Sequence, residues 1–171
     1  MNLVLTGFMG TGKTTVGRLV AEQLGRPFVD MDALIEQRAG QSIPAIFAAR
    51  GEAAFRHMER ELCHELAALD GLVIATGGGA LIDPINRALM TGSGIVICLE
   101  ASPEVLLARL QTQQDRPLLD GSALLERIHA LLEARRVAYA ALPYHLDTSA
   151  LTPWQTMEEI LALWQKLTAS T

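Results

Sequence analysis

Cysteines, positive net charge and long apolar runs are scarce in this sequence, and each shortage excludes a class of protein. The 171 residues include two cysteines, Cys63 and Cys98, which do not form a close pair with metal-ligand spacing. The formal net charge of −5 argues against a nucleic-acid-binding surface. No apolar stretch approaches bilayer length, and the opening apolar segment 2–6 is too short for a secretory signal. We therefore expect a cytoplasmic protein in a reducing compartment, with neither a nucleic-acid nor a membrane partner.

Lysine is scarce too, because all of the 14 basic residues except Lys13 and Lys166 are arginines. Arginine binds carboxylates and phosphates as a planar fork, but arginine richness equally reflects genome composition. Arginine content therefore does not indicate a function, and only individual arginines next to predicted binding motifs do. Half of the residues are hydrophobic, which is enough to build a core, and the length predicts one compact domain.

Short apolar runs alternate with segments of helical periodicity along the whole chain. The runs are continuously apolar, as strands buried on both faces are, so they predict a five-stranded parallel sheet covered by helices on both sides. The expected α/β/α sandwich has strands at 2–6, 27–30, 72–75, 95–99 and 145–148. Helices are expected at 13–24, 33–39, 42–49, 52–69, 84–90, 102–110, 122–141 and 153–167. Trp154 and Trp164 are expected to pack the last helix rather than to stack on a base.

A phosphate-binding loop lies between the first predicted strand and helix. The segment from Gly7 to Thr14 fits G-x-x-x-x-G-K-[ST] in the strand–loop–helix context that this motif requires. Lys13 is expected to reach the transferred phosphoryl group, and Thr14 to place its hydroxyl on Mg²⁺. The loop alone does not distinguish a kinase from a nucleotide hydrolase. The predicted nucleotide-binding residues are Gly10, Thr11, Gly12, Lys13, Thr14 and Thr15.

Polar residues and glycines follow the strands whose carboxyl ends lie beside this loop, where ligands bind in such folds. Asp30 and Asp32 follow the second strand, and one carboxylate could serve a metal while the other accepts a proton. Asp32 could instead simply cap the helix predicted at 33–39. The run Gly77–Gly79 follows the third strand, and three successive glycines indicate a sharp turn or a close approach of the backbone to a ligand. Arg56 could bind a ligand, or only pair with a glutamate on its own helix.

Further motifs accompany the phosphate loop: D-x-D at Asp30 and Asp32, G-E-x-x-F-R-x-x-E at Gly51–Glu59, T-G-G-G at Thr76–Gly79, R-P-L-L at Arg116–Leu119, an arginine four residues before Tyr139, and Asp147-Thr148. In this combination the chain from Leu3 to Pro153 resembles the shikimate kinase family. The resemblance implies a P-loop kinase domain over 1–171, with a substrate-binding segment at about 32–60 and a lid at about 111–121. It also implies ATP and shikimate as substrates, Mg²⁺ as the metal, and a monomer.

The resemblance implies roles for the residues at the acceptor and the metal. Asp30 would help to hold Mg²⁺ through water, and Asp32 would bind shikimate hydroxyls and activate the acceptor. Arg56 and Arg135 would grip the shikimate carboxylate. The backbone of Gly77, Gly78 and Gly79 would lie against the ring.

The resemblance also implies roles for residues at the nucleotide. Arg116 would act catalytically from the lid by reaching the phosphates, while Arg109 and Pro153 would flank the adenine. The segment 111–121 is polar, contains a proline and ends in glycine, which predicts a mobile lid that closes over the substrates.

The likeness is imperfect near residue 135, where the family's Arg-x-Pro-Leu-Tyr reads Arg135-Arg136-Val137-Ala138-Tyr139. The tyrosine spacing selects Arg135, although Arg136 is adjacent. Two other functions stay open at this point: a P-loop kinase of another small metabolite, such as gluconate or a nucleotide, and a nucleotide-binding protein without activity. The pair of arginines argues against the first, because those acceptors, gluconate apart, lack a carboxylate on a ring. The filled catalytic positions argue against the second.

Overall fold

The computed structural model describes residues 1–113 and 121–169, which are organised around one five-stranded parallel sheet. The strands are β1 (Asn2–Gly7), β2 (Phe28–Asp30), β3 (Val73–Ala75), β4 (Gly94–Glu100) and β5 (Tyr144–Asp147). They lie side by side in the order β2-β3-β1-β4-β5, so β1 is central. The three strands that precede the phosphate loop, the D-x-D and the glycine triplet are therefore neighbours.

Helices cover both faces of the sheet in the described residues. They are α1 (Lys13–Leu24), α2 (Met31–Ala39), α3 (Ile43–Ala67), α4 (Pro84–Ser93), α5 (Pro103–Gln113), α6 (Gly121–Ala140) and α7 (Pro153–Thr168). A short 3₁₀ helix, Ala80–Ile82, also follows the glycine triplet and was not expected from the sequence.

Two hydrophobic clusters separate the faces of the sheet, because successive strand residues point to opposite sides. Leu3 and Leu5 of β1 pack with α1 and α7, whereas Val4 packs with the helices α2 to α6. All six residues of β1 are buried, as the continuous apolar run predicted. The three-layer α/β/α sandwich of the P-loop kinase class is thus confirmed.

Several local predictions differ from the structure. The helices expected at 42–49 and 52–69 form one span, α3, which is interrupted at Gly51, where φ is 80° and ψ is 170°. The regular structure also reaches further into the segment 111–121 than expected, because α5 continues to Gln113 and α6 begins at Gly121. The remainder of the predicted lid, including Arg116, lies outside the described residues.

Trp164 is buried as expected, but Trp154 is 59% exposed, so its predicted packing role is wrong. No helix among 1–113 and 121–169 has the length and apolarity needed to cross a bilayer.

Asn2 joins β1 to the segment between α3 and β3. Its buried side-chain amide donates to the carbonyl oxygens of Leu66, at 3.3 Å, and Leu69, at 2.9 Å. Its side-chain oxygen accepts a bond of 2.9 Å from the backbone nitrogen of Leu72. One polar side chain therefore bonds to three backbone groups, of which the Leu66 carbonyl also accepts a bond from the backbone nitrogen of Leu69.

Replacement of Asn2 by alanine should lower the free energy of unfolding by about 1–3 kcal/mol, because buried backbone groups lose their partners. Chemical denaturation would measure the change, with Thr91→Ala as the control. Thr91 is an exposed helix residue that bonds only to carbonyls of its own helix, so its loss should matter by no more than about 0.5 kcal/mol. Equal stability losses in the two variants would contradict this account of Asn2.

Candidate active site

The phosphate loop holds the ammonium of Lys13 against its own backbone. Nζ donates to the carbonyl oxygens of Gly7, at 2.8 Å, and Phe8, at 2.9 Å. Burial lowers the pKa of Lys13 to about 8, while the charges of Asp32 and Asp30 act in the opposite direction. The loop therefore places the positive charge of Lys13 at the N-terminus of α1. The helix dipole and the free backbone amides there also attract an anion, so all three favour binding of a phosphate.

Asp30 joins this loop to the neighbouring strand. The Thr14 hydroxyl donates to its Oδ2 at 2.6 Å, and the backbone nitrogen of Ala33 donates to its Oδ1 at 3.1 Å. Asp30 thus caps α2, which begins at Met31, and the alternative that Asp32 serves only as the helix cap is wrong. A hydroxyl and a carboxylate at this position are hard oxygen donors of the kind that Mg²⁺ prefers.

Asp32 lies in the first turn of α2 without a capping role, half-buried and close to both Asp30 and Lys13. Burial raises the pKa of its carboxyl group, and the charge of Asp30 raises it further, although Lys13 opposes both effects. A carboxylate with a raised pKa is a better proton acceptor. One cavity of about 250 Å³ brings these groups together and is lined by Met9, Gly10, Gly12, Lys13, Thr14, Thr15, Asp30, Asp32 and Thr76.

The glycine triplet is the surface on which four charged side chains converge. A Cβ atom on Gly77 would lie 2.5 Å from Oδ1 of Asp32 and 2.9 Å from Oε1 of Glu59. On Gly78 it would lie 3.2 Å from Nη1 of Arg135, and on Gly79 it would lie 2.7 Å from Nη1 of Arg56. A side chain at any of these three positions would therefore collide with or crowd a charged side chain, which explains why three glycines follow one another.

Arg56 reaches Gly79 from α3 and is held by two glutamates of the same helix. Its Nη1 donates to Glu59 at 2.5 Å, and its Nη2 donates to Glu52 at 3.2 Å. Glu59 is only 1% exposed, and burial raises the pKa of its carboxyl group despite the opposing effect of Arg56. The pairing considered as the alternative to a ligand role is therefore present. It also fixes the guanidinium beside the glycines, and a guanidinium has five N–H donors to share between partners.

Arg135 approaches the same glycines from α6. Its Nη1 donates to the carbonyl oxygen of Gly78 at 3.2 Å, and its guanidinium lies 5.2 Å from the centre of the Phe8 ring. The Tyr139 hydroxyl donates to the same carbonyl at 2.6 Å. Arg136, by contrast, pairs with exposed Glu133 at 3.0 Å. Of the two adjacent arginines, the structure brings only Arg135 to the glycine triplet.

Arg109 connects α5 to the phosphate loop and to the segment that follows β5. Its Nη2 donates to the carbonyl oxygen of Thr148 at 2.7 Å, and its Nη1 donates to the Thr148 hydroxyl at 3.0 Å and to Gly10 at 3.3 Å. Pro153 begins α7 shortly after Thr148, where Thr152 forms a capping box. Arg109 and Thr148 thus adjoin the phosphate loop, and Pro153 lies five residues after Thr148.

Two residues of the site were not among the predicted ones. Glu59 belongs to the motif that contains Arg56, and its spacing of three residues on a helix indicates contact with that arginine. Tyr139 served only to select Arg135, although four residues on a helix again place the two side chains together. In both cases, a polar residue one helical turn from a predicted substrate-binding arginine was the feature of the sequence that could have identified it. Arg116 cannot be compared, because it lies outside the described residues.

Comparison with known proteins places this geometry in a family. The family model for shikimate kinase matches residues 9–165. The shikimate kinase of Symbiobacterium thermophilum is 53% identical over 142 residues, which are 82% of either chain. That of Geobacter sulfurreducens is 48% identical over 159 residues, covering 93% of this chain and 88% of the relative. The structure of a shikimate kinase from Acinetobacter baumannii in complex with shikimate has a TM-score of 0.88 and 38% identity, covering 96% and 93% of the two chains. This chain belongs to the shikimate kinase family.

Proposed function

We propose that this chain transfers the γ-phosphoryl group of ATP to the 3-hydroxyl of shikimate, with Mg²⁺, in the biosynthesis of aromatic amino acids through chorismate. One observation supports this above the others. Arg56, Arg135 and the carboxyl group of Asp32 converge on the glycine triplet, beside a phosphate loop with its lysine. An acceptor that carries both a carboxylate and hydroxyl groups fits this combination of charges.

At the nucleotide end, Lys13 and the loop amides would hold the β- and γ-phosphates. Thr14 and Asp30 would hold Mg²⁺, because their oxygens are adjacent and are hard donors. When bound, the ion supplies charge neutralisation on the phosphate oxygens. Since little covalent chemistry falls to the protein in phosphoryl transfer, these residues act mainly by positioning and by electrostatic stabilisation.

At the acceptor end, Asp32 would accept the proton of the hydroxyl group that attacks the γ-phosphate. Burial raises the pKa of this carboxyl group, which suits it to that role. Arg56 and Arg135 would bind the acceptor carboxylate as two forks, while the backbone of Gly77, Gly78 and Gly79 lies against the ring. Glu59 would orient Arg56, as its 2.5 Å bond indicates.

The remaining roles rest on the family likeness. We propose that Arg109 and Pro153 flank the adenine, that Arg116 reaches the phosphates from a lid at about 111–121, and that 32–60 is the substrate-binding segment of a single domain. We also propose a monomeric enzyme in the cytoplasm, where its two free cysteines, Cys63 and Cys98, would stay reduced.

An ADP-release assay over a panel of acceptors tests the proposed substrate directly. Shikimate should support turnover, whereas gluconate and nucleoside monophosphates should not. An analogue of shikimate without its carboxylate should be a poor acceptor, because both arginines lose their partner. Turnover with gluconate or a nucleotide at a rate equal to that with shikimate would overturn the assignment, as would failure to phosphorylate shikimate at all.

Asp32→Asn should reduce kcat by about 10²–10⁴-fold at saturating Mg²⁺, because an amide keeps the shape but cannot accept the proton. The melting temperature should not fall, because Asp30 rather than Asp32 caps α2. Asp30→Asn is the matched control: asparagine also caps helices, so stability should be kept while the Mg²⁺ concentration for half-maximal rate rises. Asp32→Asn protein with the wild-type kcat would rule out the proposed proton acceptor.

Arg135→Lys should raise the KM for shikimate about tenfold or more, because the positive charge remains but the planar fork is lost. Arg136→Lys is the control from the adjacent position, where the side chain pairs with exposed Glu133, and its KM should be unchanged. Steady-state kinetics with the carboxylate-free analogue complete the test, since that acceptor should be indifferent to both changes. A larger effect at Arg136 than at Arg135 would reverse the choice between the two arginines.

A further inference from the structure

Three potential metal ligands that have no role in the proposed reaction meet on one face of the sheet. Cys98 of β4 is paired in register with His145 of β5, and Glu100 follows two residues later. Register partners in parallel strands point to the same face, and so do residues i and i+2 of one strand. The Cys98 Sγ, a ring nitrogen of His145 and a carboxylate oxygen of Glu100 all lie within 4.8 Å of one another.

Two polar contacts orient the His145 ring at this cluster. That nitrogen lies 2.7 Å from Oε1 of Glu100, and Nε2 lies 3.1 Å from the carbonyl oxygen of Leu142. Both oxygens accept only, whereas a neutral imidazole has a single N–H. Without a metal, an Nδ1–H group satisfies Glu100; with a metal at Nδ1, the Nε2–H tautomer would donate to Leu142 instead. A ligating histidine commonly donates its other N–H to a backbone carbonyl in this manner.

A cavity makes two of the three ligands, Glu100 and His145, accessible from solvent. It has a volume of about 600 Å³, and its lining includes Glu100, His129, Glu133 and His145. The Glu100 and His145 side chains are 49% and 33% exposed, while Cys98 is fully buried beneath them. The cavity thus gives a path to Glu100 and His145 and space for a water molecule beside them.

We propose that Cys98, Glu100 and His145 bind a divalent transition metal of the Zn²⁺ type. One thiolate, one imidazole and one carboxylate are typical ligands of Zn²⁺, and three protein ligands leave a fourth, open position for water. Mg²⁺ requires hard oxygen ligands in octahedral geometry, so the ion that accompanies ATP should not compete here. The proposal is independent of the assigned reaction.

Binding at this site releases a proton. The metal–sulfur bond forms as the S–H bond breaks, and the proton passes to solvent. The bound metal should join β4 to the edge strand β5.

Titration of the nucleotide-free protein with Co²⁺, a spectroscopic substitute for Zn²⁺, tests the site. We expect a thiolate-to-cobalt charge-transfer band together with the intense visible bands of four-coordinate Co²⁺. Zn²⁺ should abolish these bands, whereas a large excess of Mg²⁺ should leave them unchanged. Absence of a charge-transfer band at saturating Co²⁺ would overturn the proposal.

Variants identify the ligands. Cys98→Ser should abolish the charge-transfer band, and His145→Gln and Glu100→Gln should each weaken Co²⁺ binding by at least ~10-fold. The controls are Cys63→Ser, which changes the other buried thiol, and His129→Gln, which lines the same cavity; both should bind Co²⁺ like the wild type. Should Cys98→Ser fail to fold, the two variants at exposed ligands decide. Unchanged affinity in both, or loss of the band in Cys63→Ser, would contradict the assignment.

Discussion

The position of the Lys13 ammonium is the constraint on which the site depends. A charged group taken out of water needs compensation, and Lys13 receives it from the carbonyl oxygens of Gly7 and Phe8. Burial still lowers its pKa to about 8, and the carboxylates of Asp30 and Asp32 only partly oppose this. Phosphate oxygens would complete the compensation. The loop therefore holds in advance a cation whose favourable partner is the nucleotide.

On the acceptor side, burial disfavours the charged form of a carboxyl group, as it disfavours the charged form of Lys13. Two carboxylates next to each other are unfavourable, and burial with the charge of Asp30 raises the pKa of Asp32. Asp30 is compensated by the Thr14 hydroxyl and the start of α2. Asp32 does not cap a helix, so its carboxyl group is available for the proposed proton transfer. The different surroundings thus distinguish the carboxylate proposed to hold the metal from the proposed proton acceptor, although the two are only two residues apart.

Glu59 shows how a buried acid can orient an arginine that is proposed to bind an anion. An isolated carboxylate in this position would be strongly unfavourable, and its bond to Arg56 is the main compensation. The same bond restricts the rotamers of the long Arg56 side chain. Its Nη1 lies so close to Gly79 that a Cβ atom there would be only 2.7 Å away. An arginine fixed before its substrate arrives loses less entropy on binding. The Gly77–Gly79 backbone and the side chains around it therefore form one preorganised surface.

Much of this arrangement was predictable from sequence, for physical reasons that differ between elements. The continuously apolar strands indicated a parallel sheet, and the position of the loop motif between β1 and α1 indicated the nucleotide site. The role of Asp30 as a cap was missed because it depends on a helix that starts two residues earlier than its periodicity suggests. The cause of the glycine triplet was hidden too, since Arg135 contacts Gly78 from 57 positions away. Trp154 was misassigned because the apolar spacing of α7 does not show that its first turn is exposed.

Proton uptake on nucleotide binding tests the central role of Lys13 most directly. With a pKa of about 8 the lysine is partly neutral at that pH, and bound phosphates should restore its proton. Calorimetric titrations with Mg–ATP in two buffers of different ionisation enthalpy measure the number of protons taken up. We predict about half a proton per nucleotide near pH 8, almost none at pH 6.5, and none in Lys13→Met protein. Uptake that is absent at pH 8, or that persists unchanged in Lys13→Met, would contradict the account.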